Sequence, residues 1–315
     1  MGDVIHALPV ASAINQAWPD TRITWIIDPR WAPLLENNPA LSATHEFPRS
    51  EFRGPLGILR FFTWCRSLKD IRADIALDLQ CLLRSGFMAR FSAAQRVWGL
   101  SDAREGAGLF YTDRVSVGEN EHAVQRYLRA LPAIGIPIPE QPDWILPGGK
   151  EHETIPKNSP FVVIHPFARG AGKSLDKECL DAFLKTFRKH SNLPCVLVGA
   201  GTYNSEIHAG VLNLLHRTTL AELITILRQA TFVVSVDSGP MHLAAALGTP
   251  LLSVHTWSDP RRVGPYDESA WIWQGGQIRR QNLNFTPRPQ KPFSPEDACE
   301  TANFVALEIL RLTQT

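Results

Sequence analysis

The sequence predicts an α/β protein of two doubly wound domains, each a parallel sheet covered by helices, and three observations carry that prediction. Short β-branched or aromatic runs alternate with helical segments along most of the 315 residues, as expected for parallel strands buried on both faces. The alternation lapses once, between Ile136 and Pro160, where Pro137, Pro139, Pro142, Pro147, Pro156 and Pro160 accompany Gly148-Gly149. That stretch reads as a proline-stiffened linker, dividing a domain of residues 1–145 from one of residues 146–293. Third, Phe232 to Leu252 reads FVVSVDSGPMHLAAALGTPLL, a complete strand–turn–helix–strand unit. Phe232 to Val236 suits a strand, Asp237-Ser238-Gly239-Pro240 a turn, and the Ala-rich stretch to Leu247 a helix stopped by Gly248 and Pro250.

In chain order, Val4 to Ala17 reads as a helix with Pro9 near its start, and Arg22 to Ile27 as a strand. Trp31 to Leu35 begins a further helix, and Glu46 to Gly57 is a loop holding Arg49 and Arg53. Leu56 to Leu68 is apolar on more than one face, with Arg60, Arg66 and Lys69 interspersed. It reads as a core helix or as a helix lying on a membrane surface, arginines toward phosphates. Ile75 to Leu79 and Arg96 to Trp98 are strands, Leu82 to Phe91 and Glu121 to Leu131 helices. Past the linker, Phe161 to His165 and Cys195 to Val198 are strands flanking a helix from Asp176 to Lys189. Thr218 or Thr219 caps a helix from Leu220 to Gln229, and Glu222 completes a capping box if the cap is Thr219. Trp271 to Trp273 is a last short strand, and Ser294-Pro295-Glu296 opens a terminal helix.

Bulk properties narrow the function. A net charge of +1 excludes an overall electrostatic commitment to nucleic acid. No apolar run approaches a membrane span. The five cysteines are scattered and lack Cys-x-x-Cys spacing, which suits reduced thiols in a cytoplasm and argues against a zinc site. No His/Asp cluster or Asp-x-Asp pair suggests a metal, so neither metal nor cofactor is expected.

Chemistry is expected at the turn after Val236. First-turn N–H groups of a helix lack intrahelical partners, and the helix dipole favours negative charge, so phosphates bind there. Ser238 and Gly239 leave room for a diphosphate, and His242 lies on the first helical turn. The competing reading is an ordinary corner in which Asp237 caps the helix.

Ser235-Val-Asp-Ser-Gly-Pro-Met-His-Leu-Ala-Ala-Ala-Leu-Gly-Thr-Pro250 resembles the nucleotide-sugar signature of the family 9 glycosyltransferases, the lipopolysaccharide heptosyltransferases. Met1-Gly-Asp-Val-Ile-His-Ala-Leu-Pro9, Asp78-Leu-Gln80 with Arg84-Ser85, and His122-Ala-Val-Gln-Arg126 resemble further motifs of that family, in the same order. The resemblance implies a GT-B fold, two Rossmann-like domains facing a central cleft, with the terminal helix 294–315 packing back on the first domain. The family opens with an apolar strand just ahead of Gly-Asp-Val, so the first sheet is expected to lack its first strand, as a start placed too late or a shortened chain would leave it.

The implied reaction moves heptose, with inversion and without metal, from ADP-heptose to the lipopolysaccharide inner core. It would occur at the cytoplasmic face of the inner membrane, in peripheral contact with it. Asp3 is the candidate base and Lys173 the candidate partner of the leaving diphosphate; their plainer readings are a helix cap and a surface lysine. Leu175-Asp176 stands where the family carries a tryptophan just after the lysine. Ala168, Arg169, Glu206, Asp237, Ser238, Gly239 and His242 are expected on the donor, Glu206 at its ribose. Arg49, Arg53, Arg104 and Arg126 are expected on acceptor carboxylates and phosphates. Another nucleotide sugar or glycan acceptor, or a non-catalytic sugar-nucleotide binding protein, are the alternatives.

Overall fold

The computed structural model describes residues 1–157, 159–203, 209–284, 286 and 288–314. They form two compact units that divide between Pro147 and Gly148.

The first unit contains α1 (Gly2–Ala17), β1 (Thr24–Ile27), β2 (Ala43–Glu46), α2 (Gly54–Ser67), β3 (Ile75–Asp78), α3 (Leu83–Phe91), β4 (Arg96–Leu100), β5 (Asp113–Val115), α4 (Ala123–Leu128) and α5 (Ala130–Ala133). Its strands make two separate parallel sheets, β1–β2 and β3–β4–β5. In α1, Pro9 has no N–H to give the Ile5 carbonyl. Trp144 supplies the missing donor, its Nε1 lying 3.0 Å from that oxygen, so a residue late in the unit closes a defect in its first helix. The helix expected from Trp31 is a 3₁₀ segment, Pro29–Leu35, since Pro33 cannot make the α-helical bond to residue 29. One face of α2 is core: Phe61, Trp64 and Cys65, with Leu68 at the C-cap, pack with Phe47, Phe52 and Met88.

The second unit contains β6 (Val162–His165), α6 (Lys177–His190), β7 (Cys195–Leu197), β8 (Val211–Asn213), α7 (Leu220–Gln229), β9 (Phe232–Val236), α8 (Gly239–Ala246), β10 (Leu251–His255), α9 (Pro260–Val263), β11 (Trp271–Gln274), β12 (Gln277–Arg280) and α10 (Pro295–Gln314). One continuous sheet runs β12-β11-β10-β9-β6-β7-β8, parallel except for the β11–β12 hairpin. Every residue of β6, β7, β9 and β10 is buried, which explains runs that are apolar but for His165, Ser235, Ser253 and His255. The strand order reverses between β6 and β9, so the crevice beyond their carboxyl ends is the topological switch point where such sheets bind ligands. The Thr219–Glu222 capping box is present.

The terminal helix was expected on the first domain, but its inner face is buried within the second unit. Ala298, Ala302, Val305 and Ile309 share a core with Leu180, Phe183, Leu184 and Phe187 of α6. The small residues at 298 and 302 let the two helices approach closely along their length. Truncating Phe183 or Phe187 there would cost about 3–5 kcal/mol.

Candidate active site

In the second unit the loop after β6 carries residues 166–175 back over the sheet edge. Gly170 and Gly172 adopt left-handed backbone, which an L side chain would strain. Ser174 pins the loop, its Oγ lying 3.0 Å from the Ala168 N–H and 3.2 Å from the Ala168 carbonyl. Lys173 is thereby set against the loop after β9, its Nζ 2.6 Å from Asp237 Oδ2. Side-chain exposure is 19% for Lys173 and 7% for Asp237. This is not a solvated surface lysine but a largely enclosed ion pair across the β6/β9 switch point.

The loop after β10 forms the other wall. The Trp257 ring lies beneath Lys173, with Nζ 4.5 Å from its centroid, an arrangement in which the ring face attracts the ammonium. Trp257 Nε1 donates to the Ala171 carbonyl at 3.2 Å, and Thr256 Oγ1 to that of Gly172 at 2.7 Å. Gln290 holds the Trp257 carbonyl at 2.9 Å. The lysine is thus gripped by an acid on one side and an aromatic face on another.

The helix beside this pair is α8. Its N-cap residue is Ser238, not Asp237, and no side chain caps it. Ser238 Oγ donates instead to the Val236 carbonyl at 3.0 Å and lies 3.1 Å from His165 Nδ1. Burial pushes His165 down to about 4, so the ring is neutral near pH 7 and adds no charge. His242 is buried in the first turn of α8. His255 is also pushed down to about 4 by burial, its ring nitrogens 2.9 Å from Ser258 Oγ and 3.1 Å from Ser253 Oγ. Asp237, Ser238, Gly239, His242, Lys173 and Ala168 therefore share one corner of the second unit. Arg169 is exposed on the same loop, and Glu206 lies outside the described residues.

In the first unit Asp3 occupies the first turn of α1 and is exposed; the cap position is Met1. Asp3 is therefore not the cap of that helix, and its carboxylate is open to solvent. Arg84 is half-buried at the start of α3; burial and the nearby Arg49 push its pKa down, while Glu105, Asp28 and Asp3 oppose them. Asp3 and Arg49 accordingly share Arg84 as an electrostatic neighbour. Arg49, Arg53 and Arg104 are exposed. Arg126 differs: its Nε and Nη2 bind Asp102 at 2.6 and 2.8 Å, so its fork is already occupied.

Two residues outside the expected set join these groups. Arg84 is presented by a brace that explains its motif: buried Asp78 accepts from Tyr111 Oη at 2.7 Å, Ser85 Oγ at 3.0 Å and the Cys81 N–H at 2.9 Å. Asp78 and Ser85 thus build the β3–α3 turn and leave Arg84 projecting from it. Trp257 is the other, and the exposed tryptophan in a loop after a strand was its only signal. Among the described residues no group of three or more His, Cys, Asp or Glu could hold a metal ion. No helix of the described residues is long and apolar enough to cross a membrane.

Comparison with known proteins adds to this geometry. The lipopolysaccharide core heptosyltransferase OpsX of Haemophilus influenzae is 25% identical over 85% of this chain and 79% of its own length. Lipopolysaccharide heptosyltransferase 1 of Pseudomonas aeruginosa is 28% identical over the same shares, 85% and 79%. Among solved structures, the E. coli heptosyltransferase WaaC with ADP superposes with a TM-score of 0.77 at 23% identity, covering 97% of this chain and 96% of that one. That likeness identifies the GT-B fold. The sequence pattern of the family described as "Glycosyltransferase family 9 (heptosyltransferase)" matches residues 61–286. The chain belongs to glycosyltransferase family 9, the heptosyltransferases.

Proposed function

We propose that this protein transfers heptose, with inversion at the anomeric carbon, from ADP-heptose to the lipopolysaccharide inner core, either Kdo–lipid A or a heptosyl residue. The observation that carries the reading is the Lys173–Asp237 pair at the switch point, beside the uncapped start of α8. A diphosphate suits that corner because it meets an ammonium and unpartnered first-turn N–H groups together. The names of the relatives, lipopolysaccharide heptosyltransferases, supply the sugar and the acceptor class.

In the reaction Asp3 takes the proton of the acceptor hydroxyl, and that oxygen bonds to the anomeric carbon. The bond from that carbon to the β-phosphate oxygen breaks, and ADP leaves with the electron pair. Lys173, Ser238, Gly239 and His242 hold the diphosphate and meet the charge that grows on it. Asp237 keeps the ammonium in place. Ala168 and Arg169 border the donor, and Glu206 holds its ribose. Arg49, Arg53 and Arg104 meet acceptor phosphates and carboxylates, while Arg126 acts through its bond to Asp102. Transfer needs no metal in this scheme. The enzyme works at the cytoplasmic face of the inner membrane, in peripheral contact with it.

A mass-spectrometric transfer assay with ADP-heptose and deacylated inner-core acceptors tests the reading. A product heavier by one heptose is expected; absence of product with every ADP-heptose overturns it. A calorimetric panel of nucleotide sugars then separates heptose from other donors.

A further inference from the structure

We infer that the outer face of α2, continued by Leu83 and Leu109, docks on an anionic lipid bilayer; this deepens the membrane-proximal reading above by assigning it a surface. Six of the twelve large apolar side chains exposed among the described residues belong to this one region: Leu56, Ile58, Leu59, Phe62, Leu83 and Leu109, with Leu109 84% exposed. Soluble surfaces scatter such residues singly, so their clustering calls for an occupant.

They form one surface, not separate points. Phe62 on α2 meets Phe87 on α3 edge-on at 5.6 Å, and Phe87 meets Phe110 at 5.5 Å. Leu83 and Leu109 flank Gly106, each Cδ1 3.9 Å from where its Cβ would stand. The opposite face of α2 is already committed to the core through Phe61, Trp64, Cys65 and Leu68, so the outer stripe is surplus to folding.

Charge selects the occupant. From Arg49 to Lys69 the sequence holds five basic residues and a single acid, Glu51, a net +4 in a chain whose total is +1. Among the described residues none of Arg53, Arg60 and Arg66 forms an ion pair. Arg60 follows Leu56, and Arg66 follows Phe62, by four residues, so guanidinium groups border the apolar stripe along the helix. An apolar stripe bordered by unneutralised arginines fits an interface of acyl chains beneath anionic headgroups.

The test is flotation of the purified protein with vesicles of phosphatidylethanolamine and phosphatidylglycerol, and with phosphatidylcholine vesicles alone. The wild type should float with the anionic vesicles, less so as salt is raised, and hardly with phosphatidylcholine. Leu56→Gln/Ile58→Gln/Leu59→Gln should weaken that binding at least about tenfold, and Arg60→Gln/Arg66→Gln should remove its salt dependence. Circular dichroism and ADP-heptose calorimetry on the same variants should match wild type. Wild type that stays with the soluble fraction, or a triple variant that floats equally well, overturns the inference. So does a dimer in sedimentation velocity that the triple variant lacks, which would make this face a contact between copies. Loss of donor binding by the wild type, with vesicle binding intact, would sink the transfer reading and leave this one standing.

Discussion

The two units hold their candidate groups in opposite ways. Among the described residues of the second, seven strands form one uninterrupted sheet; Asp237 and Ser238 directly follow the buried strand β9, and Lys173 lies on the loop after the buried strand β6. In the first, five strands are divided between two sheets. Asp3, Arg49, Arg53 and Arg104 there stand exposed on a first helical turn and on loops. A small diphosphate can be met by a site set in advance, whereas a large branched glycan needs contacts spread over an adjustable surface. The difference teaches that packing order in this protein is concentrated around the Lys173–Asp237 pair, the corner proposed above to hold the diphosphate.

Hydrogen exchange tests the contrast most directly. Amides of β9 and β10 should exchange at least about 10³-fold more slowly than those of β1 and β3; equal protection would break the comparison. Asp3→Asn should lower kcat by about 10³-fold while leaving ADP-heptose affinity unchanged by calorimetry. A matching loss of donor affinity would mean the exposed acid is not confined to acceptor chemistry. Lys173→Ala should reduce kcat/KM by about 10²-fold and weaken ADP binding as well, the mark of a preset donor site.

Trp257 sharpens the comparison further. Trp257→Leu should cost about tenfold in kcat/KM, with Trp257→Phe recovering most of it, because the aromatic face and not the bulk holds the ammonium. Equal losses in the two variants would assign Trp257 to loop packing alone.

The smallest effect is on stability against pH. His165 and His255 titrate near 4 when folded, against about 6.5 when unfolded. As pH falls, the unfolded chain therefore takes up protons first, so this stability is complete above about 6.5 and declines toward about 4. Calorimetric melting of the second unit should fall as pH is lowered across that window and hold level above it. His165→Asn, which keeps a hydrogen-bonding group, should flatten the slope.

Much of the second unit was readable because its signals are local. Phe232 to Val236 and Leu251 to Val254 are apolar but for Ser235 and Ser253, and Thr219 with Glu222 marks a helix start whatever surrounds it. The missed strands β2, β5, β8 and β12 have three or four residues each and lie at sheet edges or in small sheets. Ala43–Glu46 is exposed at three of its four positions, leaving no apolar pattern to read. Long-range partners were hidden for another reason. Trp257 bonds Ala171 across 86 positions, and nothing in either segment announces the other. Arg126 was legible as a cation, but not its engagement by Asp102. For α10, Ala298 and Ala302 mark a face made for close helix contact without naming the partner.

The bond from Trp144 Nε1 to the Ile5 carbonyl has a practical consequence. It ties the last stretch of the first unit to its opening helix, because the ring supplies the donor that Pro9 lacks. A chain clipped between Ile136 and Trp144 should therefore lose order at its beginning as well as at the cut, and Trp144 fluorescence would report both events at once.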